Sequence, residues 1–265
     1  MTYGFIGCGN MGGAIAKALS QSTKDIYISD RSGKAAALAQ ELGIHYADPK
    51  FIAENCDRIF LAVKPHMMKG VLLPLRELLA EKKPLLITMA AGLEIAQIEA
   101  FAGCELPVIR IMPNTPTAIG KGVIQYCCNA LVADSTLGSW LNDMRFCGLL
   151  DELEERLIDA ASALSGSGPA YMYVLLEALA DGAVACGIPR AKAMEYAAMT
   201  MSGAAEMYLA TKQHPGALKD AVCSPGGLFS RRQYHCRYPG SGTERLPGCG
   251  HGLCHCHLQP EQRIG

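Results

Sequence analysis

The sequence has few charged and aromatic residues and no long apolar run. Charged residues make up 18%, aromatic residues 6% and the formal net charge is -1, with no cluster of Lys and Arg on one face. This balance excludes the basic surface that is typical of proteins that bind nucleic acid or an anionic membrane. No apolar stretch reaches the roughly 20 residues of a membrane-spanning helix. We therefore expect the partner to be a small-molecule substrate or a second copy of the chain.

The sequence also lacks the features of an exported protein. Its first residues, MTYGFIGCGNMGG, contain neither the basic nor the apolar segment of a signal peptide. The 12 cysteines are scattered through apolar segments, as at Cys8, Cys56, Cys127 and Cys186. This distribution predicts reduced, hydrophobic side chains rather than a disulfide framework. We expect a cytoplasmic protein with a sizeable core, because hydrophobic residues make up 50% of the 265.

Residues 1–152 alternate between strand and helix patterns, which predicts a domain of the α/β class with a Rossmann-type doubly wound sheet, a fold that suits NAD(P) binding when a glycine motif is present. Continuous apolar strands separated by helices favour a parallel sheet covered on both faces. The predicted strands are Tyr3 to Ile6, Ile26 to Ser29, Arg58 to Val63, Leu85 to Thr88, Val108 to Ile111 and Val123 to Cys127. The predicted helices are Gly9 to Leu19, Gly33 to Leu42, His66 to Ala80 and Ser135 to Phe146.

Residues 153–227 lose the strand pattern, and Ala, Met and Leu recur at helical spacing. Gly- and Pro-containing stop signals at 165–169, 187–189 and 214–216 separate the helices. We predict an all-α domain here. Its apolar faces carry few charges, and two interpretations stay open: an internal core or a helical dimer interface.

Residues 228–265 form an aberrant tail that contains no Ala, Val, Met, Lys, Asp or Asn and shows no helical or strand period. Its histidines and cysteines suggest a zinc site, but their spacing matches no closed tetrahedral pattern, so we predict no metal. Read one base out of phase, permissible codons from Arg231 encode GSIIAGIQALERSGFRAAVMD, in the style of the preceding domain. Cys223 to Gly227 and Leu228 to Arg232 can be encoded by tandem copies of one DNA segment. We hypothesise a frameshift that removes the last helices.

A glycine motif, Gly7-Cys8-Gly9-Asn10-Met11-Gly12, follows the first predicted strand and opens a helix. In this context the glycines allow a tight turn, close approach of a pyrophosphate and packing of helix on strand. The motif predicts dinucleotide binding; a glycine turn without a ligand is the alternative. At the end of the second strand, Asp30 suits the ribose of NAD, whereas Arg31 suits the 2′-phosphate of NADP. We expect NADPH, with NADH as the alternative.

Other candidates follow later strands, where open parallel sheets bind their ligands. They are Ala62-Val63-Lys64-Pro65, Ala90-Ala91-Gly92 and Asn114, which stands between two prolines and can face a nicotinamide or a substrate. Ser165-Gly166-Ser167-Gly168 leads into a helix and offers amides and hydroxyls for a carboxylate, and Ser224-Pro225-Gly226-Gly227 is a similar loop. Each stretch has an ordinary structural alternative as a turn or a cap. No Ser/His/Asp or Cys/His arrangement points to a nucleophile, and the catalytic residue stays unassigned.

In this order and spacing, FIGCGNMG, LAVKP, AAG, RIMPNTP, LSGSGPAY, HPGALKD and VCSPGG resemble the pyrroline-5-carboxylate reductase family as far as Gly227. The resemblance implies hydride transfer from NAD(P)H to the C=N carbon of 1-pyrroline-5-carboxylate, giving L-proline. It also implies that the helical domain of residues 153–227 interlocks with a second subunit to build the substrate pocket, in a homodimer or higher homo-oligomer. By the same resemblance Ile6 to Met11 line the pyrophosphate, Ala62 to Pro65 and Ala90 to Gly92 flank ribose and nicotinamide, Glu155 lies beside the substrate and Ser224 to Gly227 begin the carboxylate loop.

The chain departs from the family pattern after Gly227. The family continues with a small residue and a threonine that holds the substrate, where this chain has Leu228 and Phe229. A phenylalanine cannot donate the hydroxyl hydrogen bond, so we expect little or no activity and a weakened dimer. The alternatives are a related imine or β-hydroxyacid reductase and a non-catalytic dinucleotide-binding protein.

Overall fold

The computed structural model describes residues 1–222. They form two compact units, Met1–Pro169 and a helical unit that begins at Ala170. The first unit contains a sheet with helices on both faces, and the second contains helices throughout its described part. The predicted class, a Rossmann-type sheet followed by an all-α domain, is confirmed. The division of the chain at residues 152 and 227 stays a prediction.

The strands of the first unit are short and mostly buried. They are β1 (Tyr3–Ile6), β2 (Ile26–Ser29), β3 (His45–Tyr46), β4 (Arg58–Leu61), β5 (Leu85–Thr88), β6 (Val108–Met112), β7 (Gly122–Cys128) and β8 (Gly148–Glu152). Every residue of β1, β4, β5 and β6 is buried. Continuous apolar strands of this kind are expected where helices cover both faces of a sheet.

The strands form one sheet in the order β3-β2-β1-β4-β5-β6-β7-β8. Strands β1 to β6 are mutually parallel, whereas β7 pairs antiparallel with β6, and β8 is parallel to β7. The expectation of a wholly parallel sheet is therefore wrong at this edge. A short connection of 3₁₀ helix, Thr115–Ile119, joins β6 to β7. It is too short for the crossover that a parallel pair requires.

Eight helices accompany the strands in the first unit. They are α1 (Asn10–Leu19), α2 (Lys34–Leu42), α3 (Pro49–Asn55), α4 (Pro65–Leu72), α5 (Arg76–Lys82), α6 (Ile95–Ala102), α7 (Asp134–Met144) and α8 (Glu155–Ser165). Helices α1, α2 and α7 pack on one face with Phe5 and Phe60, and α3 to α6 and α8 pack on the other with Ile59 and Leu61. The two apolar faces of the sheet are thus both covered.

Several differences from the predicted elements have local causes. The predicted helix from His66 to Ala80 is two helices, because the 3₁₀ segment Leu73–Leu75, which contains a proline, interrupts it. The predicted strand from Arg58 to Val63 corresponds to β4. Its predicted end at Val63 is wrong, because β4 ends at Leu61 and α4 begins at Pro65. Helices α3 and α6 were not predicted; Asp48 caps the first through the N–H of Phe51, and a capping box starts the second.

The helical unit contains α9 (Gly168–Ala185, which starts just before the unit boundary), α10 (Arg190–Thr211) and α11 (Pro215–Val222). Its large apolar side chains are mostly exposed, among them Tyr171, Tyr173, Met199 and Leu209, while the buried residues of α9 and α10 are small. This exposure favours an interface over an internal core. Within residues 1–222, no helix is both long and apolar enough to cross a membrane.

Candidate cofactor site

A cavity of about 1070 Å³ lies at the carboxyl ends of the central strands. It is in the first unit, where the loops after β1, β2 and β4 meet. Most of the predicted cofactor residues line it: Ile6, Gly7, Cys8, Gly9, Asn10, Met11, Gly12, Asp30, Arg31, Ala62, Val63, Lys64, Pro65 and Ala91. Open parallel sheets bind ligands at this position, where the strand order reverses around β1.

The glycines of the β1–α1 loop meet different demands. Gly7 has a φ of 97°, and a Cβ there would lie 2.6 Å from the carbonyl oxygen of Ala62. A Cβ on Gly12 would lie 2.5 Å from the carbonyl oxygen of Gly7. Gly9 has an ordinary φ of -72°, and a Cβ there would have no neighbour within 4 Å. Chain packing therefore requires glycine at positions 7 and 12, whereas position 9 borders open space that a ligand can enter.

Helix α1 begins beside this open space. Gly9 is its N-cap, no side chain caps the helix, and its first turn contains no acidic residue. The first N–H groups of a helix have no partner within the helix, and the helix dipole makes this end attractive to anions. A pyrophosphate group is the expected ligand for such an end when a glycine loop precedes it. The residues present therefore fit a dinucleotide.

Asp30 and its neighbours form the wall after β2. The Ser32 hydroxyl donates to Asp30 Oδ2 at 2.6 Å, and Asp30 Oδ1 is shielded from solvent with no partner among the described residues. Arg31 and Lys34 are exposed next to it, and Lys34 begins α2 after Gly33, which has a φ of 75°. Arg31, a cation in the cavity wall next to a free carboxylate oxygen, can serve a 2′-phosphate, and that oxygen can serve a ribose hydroxyl. Lys34 opens the helix after this loop but does not line the cavity.

Cys8 lies in the cavity wall as an uncharged group. Burial and the nearby charge of Asp30 raise the pKa of its thiol to about 11. The thiolate is the reactive form of cysteine, so Cys8 is a poor nucleophile near neutral pH. A protonated thiol also adds no negative charge next to the position expected for the pyrophosphate.

Three of the predicted cofactor residues do not line the cavity: Ala90, Gly92 and Asn114. Asn114 is buried, and both ends of its amide are engaged: Oδ1 accepts the N–H of Val123, and Nδ2 donates to the carbonyl oxygen of Ser165. Its neighbours Met112 and Pro113 line the cavity instead. The sequence signal for Asn114, a polar residue framed by prolines, cannot distinguish these two uses. Its assignment to a ligand stays a prediction.

The predicted substrate residues of the first unit are engaged with the protein. Glu155 Oε1 accepts the N–H of Ile95 and lies 3.4 Å from Nη1 of Arg110. Ser165 donates its hydroxyl to Gln125, and the N–H groups of Gly166 and Ser167 both reach the carbonyl oxygen of Ser162. Gly168 begins α9. Ser224, Pro225, Gly226 and Gly227, like the tail, lie outside the described residues.

The cysteines described by the structure are unpaired, and Cys8, Cys56, Cys127 and Cys147 are buried. Among residues 1–222, no group of three or more His, Cys, Asp and Glu side chains is placed to hold a metal ion. The cysteines and histidines that suggested zinc lie in the tail, outside this range.

Two family models match the sequence. One is described as pyrroline-5-carboxylate reductase dimerisation and matches residues 155–230, and the other is described as coenzyme F420-dependent NADP oxidoreductase and matches residues 2–92. The first model covers most of the described helices that carry exposed apolar residues. The second model covers the glycine loop and the cavity wall after β2.

Comparison with individual proteins indicates the same family as the first model. The chain is 42% identical over 230 residues to pyrroline-5-carboxylate reductase of Escherichia coli (strain K12), which covers 84% of this chain and 85% of the relative. It is 39% identical over 233 residues to pyrroline-5-carboxylate reductase of Pisum sativum, covering 85% and 84%. Among solved structures, pyrroline carboxylate reductase of Plasmodium falciparum with NADP bound has a TM-score of 0.74 at 31% identity, covering 86% of each chain. The family resemblance predicted from the motifs is confirmed.

Proposed function

Because the chain belongs to the pyrroline-5-carboxylate reductase family, we propose that it reduces 1-pyrroline-5-carboxylate to L-proline with NADPH. The observation that carries the proposal is the glycine loop, in which Gly7 and Gly12 are needed for packing and Gly9 borders open space. When bound, NADPH supplies a hydride for the C=N carbon of the imine. A cyclic imine that enters protonated needs mainly alignment, which fits a cavity without a reactive nucleophile.

Most of the residues that would hold the cofactor line the cavity. The first amides of α1 bind the pyrophosphate, and the loop from Ile6 to Gly12 leaves room for it. Ala62 to Pro65 flank the ribose, and the Ala90–Gly92 turn flanks the nicotinamide. The neutral thiol of Cys8 avoids repulsion of the phosphates.

The preference for NADPH rests on Arg31, which lines the cavity. Its positive charge suits a 2′-phosphate, which carries more negative charge than a hydroxyl. The shielded oxygen of Asp30 is the element that allows NADH as a second cofactor, because it can accept a ribose hydroxyl.

The substrate site is proposed to be completed by a second copy of the chain. Exposed apolar residues on α9 and α10 provide the surface for a homodimer or higher homo-oligomer. Ser165 to Gly168 and Glu155 would lie near the substrate, and Ser224 to Gly227 would bind its carboxylate. We further propose that the reaction takes place in the cytoplasm, and that no nucleic acid or membrane is a partner.

The tail is proposed to impair this activity. Leu228 and Phe229 follow the SPGG loop, where a phenylalanine ring would crowd a pocket sized for a five-membered ring. The frameshift hypothesis explains the change, and the coding DNA would contradict it by showing no repeated segment across codons 223–232.

The test is oxidation of NADPH on addition of pyrroline-5-carboxylate, measured for this chain and for one with the shifted frame restored. Activity in the restored chain alone supports the reaction and the impairment together. Equal activity in both chains contradicts the impairment, and absence from both contradicts the proposed substrate. A panel of other cyclic imines and β-hydroxyacids, measured in parallel, separates the last outcome from a change of substrate.

A further inference from the structure

Arg110 is a buried cation that is balanced by two carboxylates of α8. It lies in β6 with 1% of its side chain exposed. Its Nη2 donates to Asp159 Oδ1 at 2.8 Å, and its Nη1 lies 3.4 Å from Glu155 Oε1. Removing water from a charge is strongly unfavourable unless partners replace it, so the position of Arg110 and the positions of the two carboxylates depend on each other.

Both carboxylates also accept N–H groups from the segment after β5. Glu155 Oε1 accepts the N–H of Ile95, the first residue of α6, at 2.7 Å. Asp159 Oδ1 accepts the N–H of Gly92 at 3.4 Å. The same two oxygen atoms therefore connect Arg110 to both ends of a four-residue segment, 92–95.

The turn that precedes this segment has weak hydrogen bonds of its own. The N–H of Ala90 reaches Thr88 Oγ1 at 3.4 Å, and the N–H of Leu93 reaches the carbonyl oxygen of Ala90 at 3.3 Å. Well-formed bonds of this kind are shorter. Met89 and Ala91 in this turn line the cavity. The bond from the N–H of Gly92 to Asp159 is as long as these, whereas the bond from the N–H of Ile95 to Glu155, at 2.7 Å, is well formed. Helix α8 therefore supplies the shortest hydrogen bond to this part of the chain.

We propose that Arg110 is a positioning residue for the nicotinamide end of the cofactor site. It orients Glu155 and Asp159, and they hold the Ala90–Gly92 turn at the cavity edge. This inference rests on the proposed function, in which that turn flanks the nicotinamide. Arg110 itself does not line the cavity, and its effect is transmitted through the turn.

The test compares two ligands on the full-length chain. Arg110→Lys keeps the positive charge but loses the planar fork that reaches both carboxylates. We expect it to weaken binding of NADPH by about tenfold, while binding of 2′,5′-ADP, which lacks the nicotinamide, changes by less than about twofold. Hydrogen exchange in residues 89–97 should become faster in the same variant, because the N–H groups of Gly92 and Ile95 lose their restraint.

Arg58→Lys is the matched control. Arg58 is equally buried, at 1% exposure, and pairs with Asp143 away from the cavity. Arg58→Lys should leave the ratio of the NADPH affinity to the 2′,5′-ADP affinity unchanged. Asp159→Asn, at a half-exposed position, removes one of the two charges that balance Arg110 while Glu155 keeps the other, and it should shift the ratio in the same direction as Arg110→Lys.

Equal losses for both ligands in Arg110→Lys and Asp159→Asn, or an unchanged ratio, would overturn the inference and leave the proposed function intact. Failure of the unchanged chain to bind NADPH would overturn both.

Discussion

The side-chain oxygen of Asn114 accepts the backbone N–H of Val123 at 2.9 Å, which ties the end of β6 to the start of β7. The amide nitrogen of Asn114 donates to the carbonyl oxygen of Ser165 at 2.9 Å, so one buried side chain joins three segments. This arrangement gives the residue a structural role that can be measured separately from ligand binding.

Replacing Asn114 by alanine should lower the free energy of unfolding by about 1–3 kcal/mol, because two partly buried backbone groups lose their partner. Urea denaturation followed by circular dichroism measures the change. Asn55→Ala is the control, since Asn55 makes one exposed hydrogen bond to Phe51 and should cost no more than about 0.5 kcal/mol. Equal effects of the two substitutions would contradict the structural role.

The glycine loop predicts opposite behaviour at positions 9 and 12. Gly12→Ala should lower the melting temperature, because its Cβ would lie 2.5 Å from the carbonyl oxygen of Gly7. Gly9→Ala should leave the melting temperature nearly unchanged, yet weaken NADPH binding by about tenfold or more, since its methyl group fills space needed by the pyrophosphate. Thermal unfolding and fluorescence titration give the two values. Unchanged NADPH affinity in Gly9→Ala would place the pyrophosphate elsewhere.

Arg31 should determine the choice between the two nicotinamide cofactors. Arg31→Ala removes a cation beside the cavity and should weaken binding of NADPH by about tenfold, because a charge-assisted hydrogen bond is lost, while NADH binding stays within about twofold. Arg145→Ala, at an exposed position that does not line the cavity, serves as the control. Parallel losses for NADPH and NADH would rule out a specific contact with the 2′-phosphate.

Buried thiols should make the folded chain less stable at alkaline pH. Burial raises the pKa of Cys56 and of Cys147 from the ordinary 9.0 to about 12. Between these values the unfolded chain loses the thiol protons and the folded chain retains them, so the free energy of unfolding falls as pH rises from about 9 towards 12. The contribution of these thiols is complete below pH 9. Urea titrations at pH 8, 9 and 10 measure the trend.

The same thiols should resist alkylation of the native chain. Iodoacetamide at pH 8 should modify Cys186, which is partly exposed, before Cys56 or Cys147. Mass spectrometry of peptides assigns each site. Rapid modification of Cys147 without unfolding would contradict the burial described here.

The central strands could be predicted because burial on both faces leaves a continuous apolar run in the sequence. Strand β3 has two exposed residues, and every residue of β8 is exposed or half-buried, so neither has this pattern. The direction of β7 was not predicted from its own residues, since an apolar run looks the same in both directions. The signal for its direction was the short connection from β6, which is too short for a parallel crossover.

The residues that line the cavity could be predicted where they directly follow a strand. The glycine loop, Asp30 and Arg31 follow strands directly, and all line the cavity. Asn114 and Glu155 bond to residues 51 and 60 positions away, respectively. No pattern within one segment reports such partners, so their hydrogen bonds emerged only from the fold.

The reversed direction of β7 and β8 affects how the chain can be divided into working fragments. Strand β8 ends at Glu152, on the edge of the sheet opposite the cavity, and α8 returns the chain to Ser165 beside Asn114. A gene fragment ending at codon 152 would encode every strand found within residues 1–222 but omit α8, which makes this return. It would lose Ile158, which is buried among the helices of one face, and both anions that neutralise Arg110. A recombinant cofactor domain should therefore extend to Pro169.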